Sequence, residues 1–326
     1  HTVDQNLSVF TQVFELCKQL GLSTVFHLGD IFTSRKGQPE IALTTFKVII
    51  DQAVEQAIKI LALSGNHDRT DYTSESSYLD AFDGHPAFSV VNLENVYNVG
   101  NIKFFFLPYF DEQLTYPSKL AKLNEHEELN DQSINLLLTH CAIDGVTNNS
   151  GLKVKGELPI KGFEKFQTVF VGHYHNRQIF SNICYTGSTD PRNFGEDDQK
   201  GATIIYDDGS YDFINLEVKP YVTIDMLASD LTLERINQAK QKGQEAHLRF
   251  RIQGEISEQL KPLVVQLNDN GVKVEVHKEL IVSTDGIKAS QVTFTSGDII
   301  ELYNNWSEDR KIEDKQFGEK LLRDKM

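Results

Sequence analysis

Four short apolar runs in this chain each stop abruptly at polar residues that could bind a ligand. The runs read "TVFHLGD" at 24–30, "LALSGNHD" at 61–68, "INLLLTH" at 134–140 and "TVFVGHYH" at 168–175. A continuous apolar run is typical of a strand buried on both faces, which favours a sheet layered between helices. One such ending could be a simple turn, because Gly and Asn favour tight turns. Four endings with the same kinds of side chain favour a shared site.

The spacing of apolar positions along the rest of the chain predicts alternating helices and strands. A helix is expected before Gly21. The elements predicted after it are a strand at 24–28, a helix at 39–56, a strand at 59–63, a helical or irregular stretch at 74–83, strands at 102–107, 134–139, 168–171 and 183–186, and a hairpin at 202–216. In such folds the active site lies beyond the carboxyl ends of the strands.

The pattern changes after residue 217, which predicts further domains. Strands at 247–254 and 272–278, a helix at 256–269 and a possible third strand at 291–296 indicate a small α+β domain. The remaining residues resemble two short amphipathic helices. We therefore divide the chain into three parts, at 1–217, 218–296 and 297–326.

Composition and charge narrow the classes of function. The 326 residues include 40% hydrophobic and 24% charged ones, as expected for a globular protein with a core. A net charge of −15 argues against binding of DNA by general electrostatic attraction. If the substrate is DNA, metal ions or a partner would supply the positive charge that attracts its phosphates. We expect a cytoplasmic protein without a membrane span, because no long apolar run or signal peptide is visible. The scattered cysteines suggest reduced core residues.

The strand endings carry side chains suited to a transition metal. Carboxylate, amide oxygen and imidazole together fit Mn²⁺, Fe²⁺ or Zn²⁺ better than Ca²⁺. A bridging carboxylate can hold two ions about 3.5 to 4 Å apart, which clamp a phosphate and generate a hydroxide. The candidate ligands are Asp30, Asn66, His140, His173 and His175.

The "GNHD" segment offers a separate group for proton transfer. His67 could protonate the leaving oxygen, with Asp68 orienting its ring. His27, by contrast, is expected to pack inside its strand. His85, His126, His247 and His277 are expected to be surface or structural residues.

These motifs resemble the calcineurin-like metallophosphoesterase superfamily. "GDIF", "GNHD", a lone "TH" and "GHYH" occur in the family's order and at its separations. Within it, "YTGSTDPRNFGEDDQKGA" at 185–202 is similar to SbcD-type nuclease subunits of DNA double-strand-break repair complexes, and "GDIFTSRK" is similar to the T-even phage recombination nucleases. The resemblance implies an α/β fold, namely a layered α/β/β/α sandwich with a small α+β capping domain and a C-terminal helical tail.

The resemblance also implies roles for individual residues. Asp30 would bridge two ions, expected to be Mn²⁺, with His175 on the first ion and Asn66, His140 and His173 on the second. His67 would be the acid or transition-state stabiliser. The partners implied are double-stranded DNA, an SbcC-type ATPase docked on 297–326, and a second copy of the chain in a heterotetramer.

One departure from the family pattern keeps other interpretations open. No D-x-H motif precedes Asp30, so the first metal lacks two ligands, and we expect a strand ending in Asp-x-His ahead of His1. The main hypothesis is a DNA exonuclease and endonuclease. The alternatives are a phosphomonoesterase or cyclic-nucleotide phosphodiesterase on the same fold, and a nuclease-deficient scaffold for the ATPase.

Overall fold

The computed structural model describes residues 3–277 except 73, 131, 149, 150, 156, 157, 198 and 270. The α-helices of this range are α1 Val3–Leu20, α2 Glu40–Glu55, α3 Thr115–Asn124, α4 Leu233–Glu245 and α5 Lys261–Asp269. The strands are β1 Thr24–His27, β2 Lys59–Leu63, β3 Phe88–Val91, β4 Asn95–Val99, β5 Ile102–Leu107, β6 Ile134–His140, β7 Thr168–Gly172, β8 Gln178–Phe180, β9 Ile183–Tyr185, β10 Gly201–Ile205, β11 Tyr211–Asn215, β12 Tyr221–Leu227, β13 His247–Gln253 and β14 Lys273–His277. Short 3-10 helices lie at Tyr78–Phe82, Ile160–Phe163 and Ala228–Asp230.

Two sheets carry the strand endings singled out in the sequence. The first has the order β1-β2-β3, and all of its strands are parallel. The second has the order β4-β5-β6-β7-β9-β8, with parallel pairing from β5 to β9 and antiparallel edge strands. Parallel strands bring their carboxyl ends to one edge of a sheet.

Both faces of the larger sheet are buried. Successive side chains along each strand point to opposite faces and pack on different layers. Leu137 and Val169 pack on the side that carries α3. Leu136, Leu138 and Phe170 pack on the opposite side with residues of β2 and β3. The second cluster therefore joins the two sheets face to face.

The smaller sheet is covered on its other face by the first two helices. Ile60 and Ala62 of β2 pack with Phe14 of α1 and with Ile49 and Ile50 of α2, and all five are buried. The layers therefore run helix, sheet, sheet, helix. The predicted α/β/β/α sandwich is confirmed.

The predicted strands and helices up to residue 217 largely match, but helix α3 and strands β3, β4 and β8 were not predicted. Helix α3 lies between β5 and β6, where the apolar pattern predicts no element. Its sequence "TYPSKLAKLN" has Pro117 in the first turn, where proline is tolerated because that N–H has no helical partner. Tyr116, Leu120 and Leu123 are buried beneath it.

Residues 221–277 add a second, parallel βαβαβ arrangement. The strands have the order β12-β13-β14, connected by α4 and α5. Strand β12 and helix α4 were absent from the predicted pattern. The possible third strand at 291–296 and the tail at 297–326 lie outside the described residues, and the boundary at residue 217 stays a prediction. Within the described part of the chain, no helix is long and apolar enough to cross a membrane.

Candidate metal centre

Glycines at the strand ends allow the loops to approach one another closely. A Cβ at Gly65 would lie 2.3 Å from Oδ1 of Asp30, and one at Gly172 would lie 2.1 Å from the carbonyl oxygen of Leu28. A Cβ at Gly29 would lie 2.5 Å from Nδ1 of His140. Real side chains do not tolerate such contacts. The glycines after three of the four apolar runs therefore make room for the neighbouring loops.

Asp68 ties the first two of these loops together. Its Oδ2 accepts hydrogen bonds from the backbone N–H groups of Asp30 (2.8 Å) and Gly65 (2.9 Å), and its Oδ1 accepts one from Phe32 (3.0 Å). The side chain is fully buried. The predicted role of Asp68 in orienting the His67 ring is wrong, because the carboxylate is engaged by three backbone donors.

His67 is held instead by the loop that follows Asp30. Its Nδ1–H donates to the carbonyl oxygen of Thr33 at 2.7 Å, and its backbone N–H donates to Oδ1 of Asp30 at 2.8 Å. The ring is half-buried. A carbonyl acceptor on Nδ1 orients the ring and leaves Nε2 as the nitrogen available to a substrate.

Four of the five predicted ligands converge. Donor atoms of Asp30, His140 and His173 all lie within 4.8 Å of one another. Oδ1 of Asn66 lies 3.0 Å from Nε2 of His140 and 3.1 Å from Nδ1 of His173. His175 is not part of this group. Its Nδ1 contacts Glu196 at 2.8 Å.

The geometry of this cluster fits a divalent cation. Nδ1–H of His140 donates to the Leu28 carbonyl at 2.6 Å, so the neutral ring carries its lone pair on Nε2, inside the cluster. Lone pairs of the four residues then face one another. Reversing the Asn66 amide would direct Nδ2 at Asp30 (3.2 Å), His140 (3.0 Å) and His173 (3.1 Å), with its oxygen accepting from Arg35. An NH₂ group has only two hydrogens for these three acceptors, whereas a single cation could bind the amide oxygen together with all three of them.

The ionisation states of Asp30 and His173 are those of metal ligands. Burial alone would raise the pKa of Asp30, but the charge and hydrogen bond of His140 hold it well below its usual value. Burial lowers the pKa of His140, yet the Asp30 carboxylate outweighs it and raises the net value. Burial and His140 lower the pKa of His173 to about 3. His173 is therefore a neutral ligand at physiological pH.

Two residues of the cluster have a strained backbone. Asp30 has φ 57° and His173 has φ 103°, in the left-handed region that side chains rarely adopt. Asp30 lies three residues beyond the end of β1, and His173 directly follows β7. Such strain persists only where the surroundings fix it, and it is common at functional sites.

Aromatic and cationic side chains surround the cluster. Tyr109 stacks on His173 with ring centroids 6.4 Å apart and meets His140 edge-on at 6.0 Å. The guanidinium of Arg35 lies 5.4 Å from the ring centre of Tyr72. Arg69 is fully buried, and its Nε and Nη2 donate to Oγ of Ser64 at 2.9 and 2.7 Å.

Sequence reasoning missed the residues that support the ligands. The Leu28 and Thr33 carbonyls have no sequence signal, because any residue supplies a carbonyl. Glu196 and Lys200 lie in the "NFGEDDQKGA" segment, which had been used only as a family resemblance. Their spacing of four residues was a usable signal for an ion pair. His27 packs as predicted, stacked on Phe10 at 6.3 Å, and burial lowers its pKa to about 4.

Comparisons with known proteins agree with this geometry. The family model of the calcineurin-like phosphoesterases matches residues 1–177. Exonuclease subunit 1 of Enterobacteria phage T4 is 22% identical over 194 residues, which are 56% of this chain and 55% of that protein. The chain thus spans about half the length of this relative. One solved crystal structure covers 55% of this chain and 85% of its own, with a TM-score of 0.34 and 10% identity, which is too low to inform the fold.

Proposed function

Because this chain belongs to the calcineurin-like phosphoesterase family, we propose that it is a metal-dependent phosphodiesterase that cleaves DNA. It acts as the exonuclease and endonuclease subunit of a repair and recombination complex. The observation that carries the proposal is the convergence of Asp30, Asn66, His140 and His173 at the carboxyl ends of parallel strands. The 22% identity to a phage protein named as an exonuclease subunit supports a nucleic acid as the substrate.

The residues of the centre divide the work between binding and proton transfer. Bound divalent ions, expected to be two Mn²⁺, would supply Lewis acidity and an attacking hydroxide. Asp30, Asn66, His140 and His173 would hold one ion, while Asp30 and His175 would contribute to the other. His67 gives a proton to the leaving oxygen, with its ring fixed by the Thr33 carbonyl.

Arg35 is suited to hold the substrate phosphate. Its guanidinium lies beside the Asn66 amide and over the Tyr72 ring, and its side chain is exposed. A guanidinium matches a phosphate with paired hydrogen bonds. In a chain with a net charge of −15, such a local cation is needed near the reacting phosphate.

A partner protein would supply the remaining contacts to duplex DNA. We assign this role to an SbcC-type ATPase that docks on residues 297–326, with two copies of this chain in a heterotetramer. The acidic charge of the chain and the word "subunit" in the relative's name support a multi-subunit assembly.

A substrate panel tests the proposal. The protein is incubated with Mn²⁺ and linear duplex DNA, a phosphomonoester or a cyclic nucleotide, each with and without EDTA. We expect DNA cleavage that EDTA abolishes, that His173→Ala loses and that the control His126→Ala keeps, since His126 is exposed.

The other outcomes separate the alternatives. Hydrolysis of the phosphomonoester or the cyclic nucleotide without DNA cleavage would contradict the nuclease assignment and favour the other enzymes of this fold. Metal binding with no hydrolysis of any substrate would favour a scaffold.

A further inference from the structure

A buried carboxylate holds the ring of His175. Nδ1–H of His175 donates to Oε1 of Glu196 at 2.8 Å. The Glu196 side chain has no exposed surface, whereas 33% of the His175 side chain is exposed. A carboxylate is buried at high cost unless its charge and lone pairs are satisfied, so this arrangement needs specific partners.

Lys200 supplies the compensating charge and also binds the main chain of His175. Its Nζ lies 3.0 Å from Oε2 of Glu196 and donates to the His175 carbonyl oxygen at 2.7 Å. The Lys200 side chain is fully buried too. The backbone N–H of Ser188 donates to the same carbonyl at 3.0 Å. One ammonium group therefore fixes both the backbone of His175 and the carboxylate that holds its ring.

We propose that Glu196 and Lys200 are positioning residues that fix the ring orientation and tautomer of His175 for metal binding. The inference rests on the proposed function, in which His175 is a ligand of one ion. A neutral imidazole that donates from Nδ1 carries its lone pair on Nε2. Carboxylates that hold a ligand histidine in this way raise its basicity and set its tautomer.

The loop that carries Glu196 is itself anchored by the residues just before the glutamate. The Arg192 backbone N–H donates to Oε2 of Glu196 at 3.1 Å, and Nδ2 of Asn193 donates to Oε1 at 2.8 Å. Phe194 packs edge-on against Tyr221 of β12 at 4.8 Å and beneath the guanidinium of Arg249 at 4.7 Å. The carboxylate therefore presents a fixed acceptor to the ring.

The ring-nitrogen NMR shifts of His175 test the proposal without any metal. In the wild-type protein, ¹⁵N shifts assigned with a His175→Gln variant should show a proton on Nδ1 and a lone pair on Nε2. In Glu196→Gln, the single amide oxygen faces Lys200, because ammonium is a donor only. The amide NH₂ then faces His175 Nδ1, and the proton should move to Nε2.

Asp197→Asn is the matched control, because it removes the same charge one residue away. Oδ1 of Asp197 lies 3.9 Å from Nζ of Lys200, and 41% of that side chain is exposed. We expect Asp197→Asn to keep the wild-type tautomer. Mn²⁺ affinity measured by calorimetry should fall about 10- to 100-fold for Glu196→Gln alone.

The outcomes separate this inference from the proposed function. A wild-type His175 with its proton on Nε2, or ring shifts unchanged in Glu196→Gln, would overturn the positioning role even if the protein cleaves DNA. Conversely, a tautomer change in Glu196→Gln would sustain it even if no substrate is hydrolysed. The wild-type measurement stands whether or not the variant folds.

Discussion

Gly65 lies so close to Asp30 that any side chain at position 65 would displace the carboxylate. We predict that Gly65→Ala weakens Mn²⁺ binding strongly and lowers the free energy of unfolding by about 1 to 3 kcal/mol, because its Cβ would lie 2.3 Å from Oδ1 of Asp30. Calorimetry and urea denaturation measure the two effects. Gly162→Ala is the control, since its Cβ meets only the flexible Leu120 side chain at 3.0 Å. Equal metal affinity in both variants would show that the close approach does not matter.

Variants of His67 and His173 should fail in different ways, because we propose proton transfer for the first residue and metal binding for the second. His67→Ala should keep Mn²⁺ and DNA binding and lose about 10²- to 10⁴-fold in cleavage rate. His173→Ala should weaken Mn²⁺ binding itself. Single-turnover cleavage and calorimetry on both variants make the comparison. Near-wild-type cleavage by His67→Ala would refute its role as the acid.

For individual residues, the sequence predicts which side chains can act as metal ligands. It does not predict the contacts that hold those side chains in place. Asp30, Asn66, His140 and His173 follow apolar strands, so their convergence could be expected from topology. The pairing of His175 with Glu196 spans 21 residues, which include strands β8 and β9. No periodicity encodes such a contact, and it depends on how the 186–200 loop folds back.

Among the elements, the two loops after β1 and β2 depend on one carboxylate. Asp68→Asn would turn one of its oxygens into an NH₂ group facing backbone donors. We expect a loss of about 1 to 3 kcal/mol in the free energy of unfolding, because a buried donor is left without an acceptor. Urea denaturation measures it, with the exposed Asp207→Asn as the control. No difference between the variants would mean that other contacts hold the loops.

Many of the predicted elements have strong apolar patterns, whereas helix α4 and strand β12, which were missed, do not. Strands β6 and β7 are almost wholly buried and read as continuous apolar runs. Helix α4 buries little besides Ile236 and Ala239 in the sequence "LERINQAKQKGQE". Strand β12 is mostly half-exposed. Elements with so few buried apolar residues are stabilised by tertiary packing, which a local sequence pattern does not reveal.

In the molecule as a whole, residues 222–274 form a hydrophobic cluster of their own. Ile252 lies fully buried in it, and Ile60 lies fully buried in the cluster beneath α1 and α2. We predict that Ile252→Ala costs about 2 to 5 kcal/mol in local stability and leaves Mn²⁺ affinity unchanged. Amide exchange should rise in 221–277 and not in 24–63, with the reverse for Ile60→Ala. An equal rise in amide exchange in both regions of either variant would contradict a separate capping domain.

The central claim is that four strand-end residues form a metal centre, and anomalous X-ray diffraction from Mn²⁺-soaked crystals tests it most directly. The account predicts an anomalous peak within about 2.0 to 2.3 Å of Asp30, Asn66 Oδ1, His140 Nε2 and His173 Nδ1. Crystals of the His173→Ala variant, soaked in the same way, serve as the control. Their anomalous peak should be weaker or absent. A crystal with no peak at this position, or with the Asn66 NH₂ group facing His140 and His173 at saturating Mn²⁺, would contradict the account.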